Sequence, residues 1–312
     1  MLKVAFIDFV FENRQEIQLE GCEFSIHPPL RTADEIVAAA SDADVLCMRD
    51  QFGQVTREVI ERLPKLRLIV TRSVGHDHID LEEAGQRGIV VCNVPDYGAH
   101  MIAEHAFGLL LAVARNIVKG SNRYKQESLF SDRGLQGIEL AGKTLGVIGT
   151  GRIGLRSVRL AKGFGMEVVA HDVFENAAAA ETLGFRYASL ESTLAESHAV
   201  TLHVSLNQTT RHLINADRLA QMKPGAILIN TSRGGVVDTQ ALMAALRSGH
   251  LRGAGLDVLE DERDVYHDFA DLNVVVTPHL GWYTDGAVRR ILQIALADIA
   301  AFMRGGPINR LA

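Results

Sequence analysis

In the second half of the chain, polar residues stand where short apolar runs stop: Asp172, His203, Arg233, Asp257 and His279. Runs rich in Val, Ile, Leu and Ala are the mark of buried parallel strands. Ligands of open parallel sheets gather outside the carboxyl ends of the strands, so these residues are expected on one rim. An arginine, a carboxylate and a histidine on such a rim suit hydride chemistry at a carbonyl. Reducing a ketone needs a hydride donor, a proton donor, and a positive group near the oxygen on which charge builds. The histidine is His279, in Thr277-Pro278-His279-Leu280-Gly281, and the arginine is Arg233, in Asn230-Thr231-Ser232-Arg233-Gly234-Gly235. The loop after Asp257 adds Glu260, Asp261 and Glu262. A carboxylate beside an imidazole favours the imidazolium form. Taken singly, each residue has a plainer role. A histidine after proline can cap or fill a core, Arg233 can pair with Asp238, and the acidic run at Glu260 can be a solvated loop. Convergence on one rim is what favours chemistry.

The hydride donor is implied upstream. An apolar run at residues 144–148 leads into Gly149-Thr150-Gly151-Arg152-Ile153-Gly154; an amphipathic segment and a second apolar run at 167–170 follow, ending at His171-Asp172. This is strand, glycine turn, helix, strand and terminal acid, the pattern that binds a dinucleotide. Gly149 is expected to allow the tight turn, Gly151 to let a diphosphate touch backbone, and Gly154 to let helix and strand close up. Free N–H groups at the helix start attract the phosphates. Asp172 is expected to accept from both hydroxyls of an adenine ribose. A 2′-phosphate would put like charge against it, and no arginine follows in Val173-Phe174-Glu175, so NAD is favoured over NADP. His203 and Thr231 belong to the same rim and are expected beside the nucleotide.

Composition narrows the classes. The 312 residues favour two domains over one large core. A formal net charge of −6 gives no basic footprint, so nucleic acid is not an expected partner. The apolar stretch at 106–114 is too short to span a bilayer, and no signal-peptide pattern precedes Val4-Ala5-Phe6-Ile7. Cys22, Cys47 and Cys92 lie far apart without a Cys-x-x-Cys, reading as reduced core residues of a cytosolic (cytoplasmic) protein. No metal-ligand pattern is expected.

Both halves alternate short strands with helices, which implies parallel sheets covered by helices. In the first half strands are expected at 4–7, 23–26, 45–48, 66–71 and 89–92, with helical patterns at 32–40 and 56–62. Polar, turn-rich ends follow, including Arg49-Asp50-Gln51, Ser73-Val74-Gly75 and Asn93-Val94-Pro95-Asp96-Tyr97. One long helix is expected from 100 to about 125. Second-half strands are expected at 144–148, 167–170, 199–204, 226–230, 254–257 and 274–277, with a helix at 239–248. A final helix, 285–303, is expected to return to the first half, giving a discontinuous domain of residues 1–97 and 284–312 and a second domain of residues 98–283.

The sequence resembles the D-isomer-specific 2-hydroxyacid dehydrogenases. The matching stretches run from about residue 45 to 290: Ser73-Val74-Gly75-His76-Asp77-His78-Ile79-Asp80; Asn93-Val94-Pro95 through Ala103-Glu104-His105-Ala106; the glycine turn; the segment 230–238; the segment 253–257 with Glu262; and Thr277-Pro278-His279. The resemblance implies an α/β fold of two open parallel-sheet domains, a Rossmann cofactor domain and a smaller flavodoxin-like substrate domain, with the site between them. It implies a homodimer built largely through the cofactor domain. It implies His279 as acid/base, Glu262 as its carboxylate partner, and Arg233 as the group that binds and polarises a 2-keto acid. Val74 and Gly75 would offer backbone N–H to the substrate carboxylate, Arg152 and Ile153 would contact the diphosphate, and Asp257 the nicotinamide side. Glutamate at 262 argues against the formate dehydrogenases of this superfamily, which carry glutamine there.

The sequence also departs from the family pattern. His78 replaces the usual asparagine of its segment, and Arg263 the proline that usually follows the family glutamate. Trp282 resembles the aromatic of D-lactate dehydrogenases and C-terminal-binding-protein corepressors. With Tyr97 and Met48 it would wall the substrate pocket, or else anchor a domain interface. Arg49 sits where phosphoglycerate dehydrogenases carry a substrate-contacting arginine. The expectation is an NAD-dependent enzyme interconverting small 2-keto and (R)-2-hydroxy acids. The alternatives are a phosphoglycerate-type dehydrogenase and an NAD(H)-sensing, corepressor-like interaction protein.

Overall fold

A computed structural model gives the structure of this chain and describes residues 1–7, 14–49, 53–260, 269 and 271–312. It divides into two compact units, Met1–Tyr97 with Tyr283–Ala312, and Gly98–Trp282. Each is an α/β unit on its own parallel sheet.

The first unit runs β1 (Leu2–Phe6), β2 (Cys22–Ile26), α1 (Ala33–Ala40), β3 (Val45–Met48), α2 (Arg57–Glu61), β4 (Leu68–Thr71), α3 (Leu81–Gln86) and β5 (Val90–Cys92). The strand order is β2-β1-β3-β4-β5, all parallel, which is the flavodoxin-like order. Every residue of β3 and β4 is buried, so these strands read as unbroken apolar runs rather than alternating ones. Helix α1 starts in a capping box: the Thr32 side chain accepts from Glu35 N–H while the Glu35 carboxylate accepts from Thr32 N–H. The C-terminal helix, Asp285–Met303, packs on β4. The tail beyond it then bonds to the edge of β5, with Val91 N–H donating to Ala312 O at 3.1 Å and Leu311 N–H to Val91 O at 2.7 Å.

The second unit runs α4 (Ala99–Ala114), α5 (Ile117–Glu127), β6 (Thr144–Ile148), α6 (Arg152–Gly163), β7 (Glu167–His171), α7 (Ala177–Leu183), β8 (Arg186–Tyr187), α8 (Leu190–Glu196), β9 (Ala199–Leu202), α9 (Ala216–Gln221), β10 (Ala226–Asn230), α10 (Thr239–Arg247), β11 (Leu251–Leu256) and β12 (Val274–Val276). Its strand order is β12-β11-β10-β9-β6-β7-β8, all parallel. The order reverses between β6 and β9, which is where a ligand crevice is expected. Period-two alternation covers both faces. Leu145, Val147, Ile227 and Ile229 pack with α4 and α6 on one side, while Ile148, Leu228 and Leu202 pack with α8 and α10 on the other.

The long helix expected from 100 to 125 is two helices, α4 and α5, meeting at 61°. Asn116 between them adopts a left-handed conformation (φ 52°), and its side-chain amide donates to Leu135 O and Gln136 O. Asparagine tolerates that region better than most residues, and the two carbonyls hold it there. Helix α4 is a core helix, with Ala106, Leu109, Leu110 and Val113 buried against the sheet. Among the described residues no single helix is long and apolar enough to cross a membrane.

Candidate active site

The glycine turn sits at the switch point. Gly149, at the end of β6, has φ +91°, and a Cβ there would lie 2.7 Å from His203 O. A Cβ on Gly151, by contrast, would meet nothing within 4 Å. Gly151 also forms the N-cap of α6 without a side-chain cap, so the helix presents its first N–H groups beside open space. These features fit a dinucleotide diphosphate, with Arg152 exposed and Ile153 half-buried in the first turn.

Asp172 follows β7 and reaches back to this turn. Its Oδ2 accepts from Thr150 N–H at 2.6 Å and Thr150 Oγ1 at 3.0 Å, and its Oδ1 from Phe174 N–H at 3.0 Å. Burial pushes its carboxyl up, but these bonds outweigh burial and hold it below the ordinary carboxylate range. His203, after β9, turns its ring inward, with Nε2 2.9 Å from Ser157 Oγ and 3.0 Å from Thr201 Oγ1. Its Nδ1 is enclosed without a partner, and burial pushes the imidazole down to about 3. The His203 backbone carbonyl, not the ring, borders the glycine turn.

Arg233 follows β10 on a loop folded by Asn230. The Asn230 Oδ1 accepts from Ser232 N–H (3.0 Å) and Ser232 Oγ (2.8 Å), and its Nδ2 donates to Arg233 O at 2.9 Å. Thr231 Oγ1 is buried without a partner. The next residue lies hard against the loop after β11: a Cβ on Gly234 would sit 2.0 Å from Leu259 C and O. Glu260 in that loop is clamped, accepting from Arg211 at 2.8 Å and bonding His212 Nε2 at 2.7 Å, while His212 N–H donates to Gly235 O. Glu260 thus ties the two loops together. Glu262 lies outside the described residues.

Asp257, after β11, is 2 % exposed and is the hub of the neighbouring loop. Its Oδ1 accepts from Thr277 Oγ1 (2.5 Å) and Leu280 N–H (2.7 Å), and its Oδ2 from Gly281 N–H (2.8 Å). His105 Nε2, from α4, lies 3.1 Å from Oδ1 and 3.0 Å from Thr277 Oγ1. Burial alone would push this carboxyl up; the bonds from His105, Thr277, Gly281 and Leu280 outweigh it and hold the group below the ordinary range. His279 follows β12, half-buried and left-handed (φ 54°), its N–H donating to Asp257 O (2.8 Å) and Thr277 O (2.9 Å). The ends of adjacent parallel strands β10, β11 and β12 thus carry Arg233, Asp257 and His279. The position of His105 beside Asp257 and Thr277 is not legible in the sequence. Its motif was visible, but its partners lie 152 and 172 positions away.

In the first unit, Arg49 is buried at the end of β3 and Tyr97 is buried, with its carbonyl accepting from Arg290 Nε at 2.6 Å. Val74 is exposed; its carbonyl accepts from Asn93 Nδ2 at 2.9 Å, and the Gly75 carbonyl from Ser73 Oγ at 2.6 Å. Trp282 is half-buried at the end of the second unit. Among the described residues no group of His, Cys, Asp and Glu is placed to hold a metal.

A turn shaped for a diphosphate, on the sheet whose far strands end in Arg233 and His279, belongs to the dinucleotide-binding α/β oxidoreductases. Comparison with known proteins narrows that class. Residues 107–281 match the family described as "D-isomer specific 2-hydroxyacid dehydrogenase, NAD binding domain". Glyoxylate reductase of Pyrococcus furiosus is 39 % identical over 312 aligned residues, covering 98 % of this chain and 88 % of that protein. D-lactate dehydrogenase of Aquifex aeolicus, solved with NAD and lactic acid, superposes with a TM-score of 0.89 at 33 % identity, over 99 % of this chain and 100 % of that one. An acyclic imino acid reductase (Bsp5), solved with NADPH and D-Arg, superposes with a TM-score of 0.90 at 27 % identity over 100 % of both chains. The chain belongs to the D-isomer-specific 2-hydroxyacid dehydrogenases.

Proposed function

We propose that this family member is an NADH-dependent reductase of small 2-keto acids that yields (R)-2-hydroxy acids, with His279 and Arg233 as its catalytic residues. When bound, the reduced nicotinamide supplies the hydride to C2 of the substrate. His279 delivers a proton from its ring N–H to the substrate oxygen, and Glu262 is its carboxylate partner. Arg233 binds the keto acid and stabilises charge as it builds on that oxygen. Val74 and Gly75 receive the substrate carboxylate through backbone N–H, with Arg49, Tyr97 and Trp282 selecting the side chain. The unit Met1–Tyr97 with Tyr283–Ala312 serves as the substrate-binding domain.

Nine residues hold the cofactor in this reading: Gly149, Gly151, Arg152, Ile153, Gly154, Asp172, His203, Thr231 and Asp257. His203 contributes its backbone only, since its ring is committed to Ser157 and Thr201. Asp172 favours NAD over NADP, because its carboxylate stays ionised where a 2′-phosphate would lie. The working protein is a cytosolic homodimer.

The observation that carries the reading is the left-handed His279, held at the end of β12 on the same sheet as the glycine turn. A backbone strained at one residue and fixed by its neighbours is characteristic of working sites. The test is loss of NADH absorbance on adding glyoxylate, pyruvate, hydroxypyruvate or phenylpyruvate, repeated with His279→Ala. At least one acid is expected to be reduced, and the variant to lose roughly 100- to 10,000-fold in kcat. Wild-type turnover in a folded variant would remove His279 from this role. No decay with any of the four acids would favour the NAD(H)-sensing alternative.

A further inference from the structure

Three consecutive backbone N–H groups, those of His279, Leu280 and Gly281, all point at Asp257. The first donates to its carbonyl at 2.8 Å, the second to Oδ1 at 2.7 Å and the third to Oδ2 at 2.8 Å. Successive N–H groups around a left-handed residue form a concave anion nest. Here the anion is a side chain of the protein itself. Gly281 completes the fit, since a Cβ there would sit 3.0 Å from Asp257 Oδ2 and 3.5 Å from His105 Cδ2.

What orients that carboxylate lies on α4. Proton counting fixes the direction of the bonds. The ionised carboxylate only accepts, and the Thr277 hydroxyl spends its single hydrogen on Oδ1. His105 Nε2 therefore carries the hydrogen it shares between Thr277 Oγ1 and Asp257 Oδ1, at 3.0 and 3.1 Å. Helix α4 is buried against β10 and β11, so its register is fixed by the core. His105 projects from that rigid element and anchors both members of the Thr277–Asp257 pair. The pair in turn sets the backbone of His279.

We propose that His105 is a positioning residue for His279, acting through Thr277 and Asp257 to hold the His279 loop in its left-handed form. This rests on the reading of His279 as the acid/base. It makes His105 distinct from a residue of the fold alone: without its donor the carboxylate keeps Thr277, Leu280 and Gly281 but loses its tie to the rigid helix, so the pair and the His279 loop bonded to it can shift together. A misplacement of about 1 Å at a reacting group is enough to lower turnover by roughly 100-fold.

The experiment compares wild type with His105→Ala, His105→Gln and Thr277→Val, using His279→Ala as reference. Three quantities are read: kcat for keto-acid reduction, NADH affinity by fluorescence titration, and the His279 ring signals in a histidine-15N-labelled sample. His105→Ala is expected to lower kcat by ~10- to 100-fold, to lower NADH affinity by a clearly smaller factor through Asp257, and to shift the His279 ring signals. His105→Gln, which returns an amide donor, is expected to recover most of the loss. Should His105→Ala not fold, Thr277→Val, equal in shape but without the hydroxyl, is expected to reproduce its effect. Unmoved His279 signals in His105→Ala, or in Thr277→Val if it replaces it, would overturn the proposal even if no keto acid were turned over. Equal loss of NADH affinity and turnover, without rescue by glutamine, would also overturn it. If His279→Ala retains turnover, the acid/base reading falls; if His279→Ala is inactive while His105→Ala is unchanged, only the present inference does.

Discussion

Gly154 lies so close to Gly149 that a Cβ on it would meet the Gly149 carbonyl oxygen at 1.9 Å. Helix α6 can leave β6 at its observed angle only because nothing stands between them. Gly154→Ala must push the helix away, and overpacking of this kind costs about 1–3 kcal/mol. The variant is expected to melt at lower urea and to bind NADH more weakly. Gly151→Ala provides the contrast, since its Cβ would point into open space and its φ of −65° suits alanine. It is expected to keep the urea midpoint while NADH binding falls, because the methyl occupies the approach of the phosphates. Equal midpoints for both variants would contradict the assigned division of roles.

Asp172 accepts from Thr150 through one oxygen and from Phe174 through the other. An asparagine there keeps an acceptor for the Thr150 N–H but loses the charge. Charged hydrogen bonds contribute about 1.5–3 kcal/mol. Asp172→Asn is therefore expected to raise the KM for NADH ~10-fold and to increase the NADPH-to-NADH ratio of kcat/KM by a similar factor. Steady-state kinetics with both cofactors checks this, and an unchanged ratio would take Asp172 out of cofactor choice.

The strands were legible because strands buried on both faces read as uninterrupted apolar runs, as in Val45–Met48 and Leu68–Thr71. The glycine turn was legible because each glycine has a separate physical duty. Three things were hidden. The break at Asn116 was masked by apolar residues on both sides, Val113 and Ile117, and its cause lies in carbonyls of a distant loop. Strand β8 is two residues long, too short to carry a pattern. The anchoring of Glu260 by His212 is a long-range pairing, and long-range pairings leave no mark in local spacing.

His203 offers a pH measurement away from the reacting centre. Burial pushes its imidazole down to about 3, so it is neutral in the folded chain through the mild acid range. Because the folded value lies below the unfolded one, its contribution to stability is whole above the ordinary imidazole range near 6.5 and is lost as pH falls toward 3. Histidine 15N shifts are expected to show the His203 ring still neutral at pH 5. His203→Ala should abolish that signal.

Asp298 titrates with the opposite sign. It lies on the C-terminal helix with no exposed surface, its Oδ1 accepting from Asn309 Nδ2 at 2.9 Å and its Oδ2 buried without a partner. Burial pushes the carboxyl up to about 7, against the smaller downward pull of the Asn309 bond. The folded chain therefore holds this proton more tightly than the unfolded one, in which aspartate titrates near 4. Between those values the folded chain holds the Asp298 proton more than the unfolded chain does, so this group's contribution to stability falls as pH rises through the interval and levels off above it. The loss is on the order of a few kcal/mol, and it falls where Asn309 joins the helix to the tail paired with β5. Asp298→Asn removes the titration and keeps the shape. The difference between variant and wild type is expected to widen from pH 5 to pH 8, with the variant melting several degrees higher at pH 8, as read by thermal scans at both values. A difference between variant and wild type that does not widen from pH 5 to pH 8 would show that burial does not raise the Asp298 carboxyl in the folded chain.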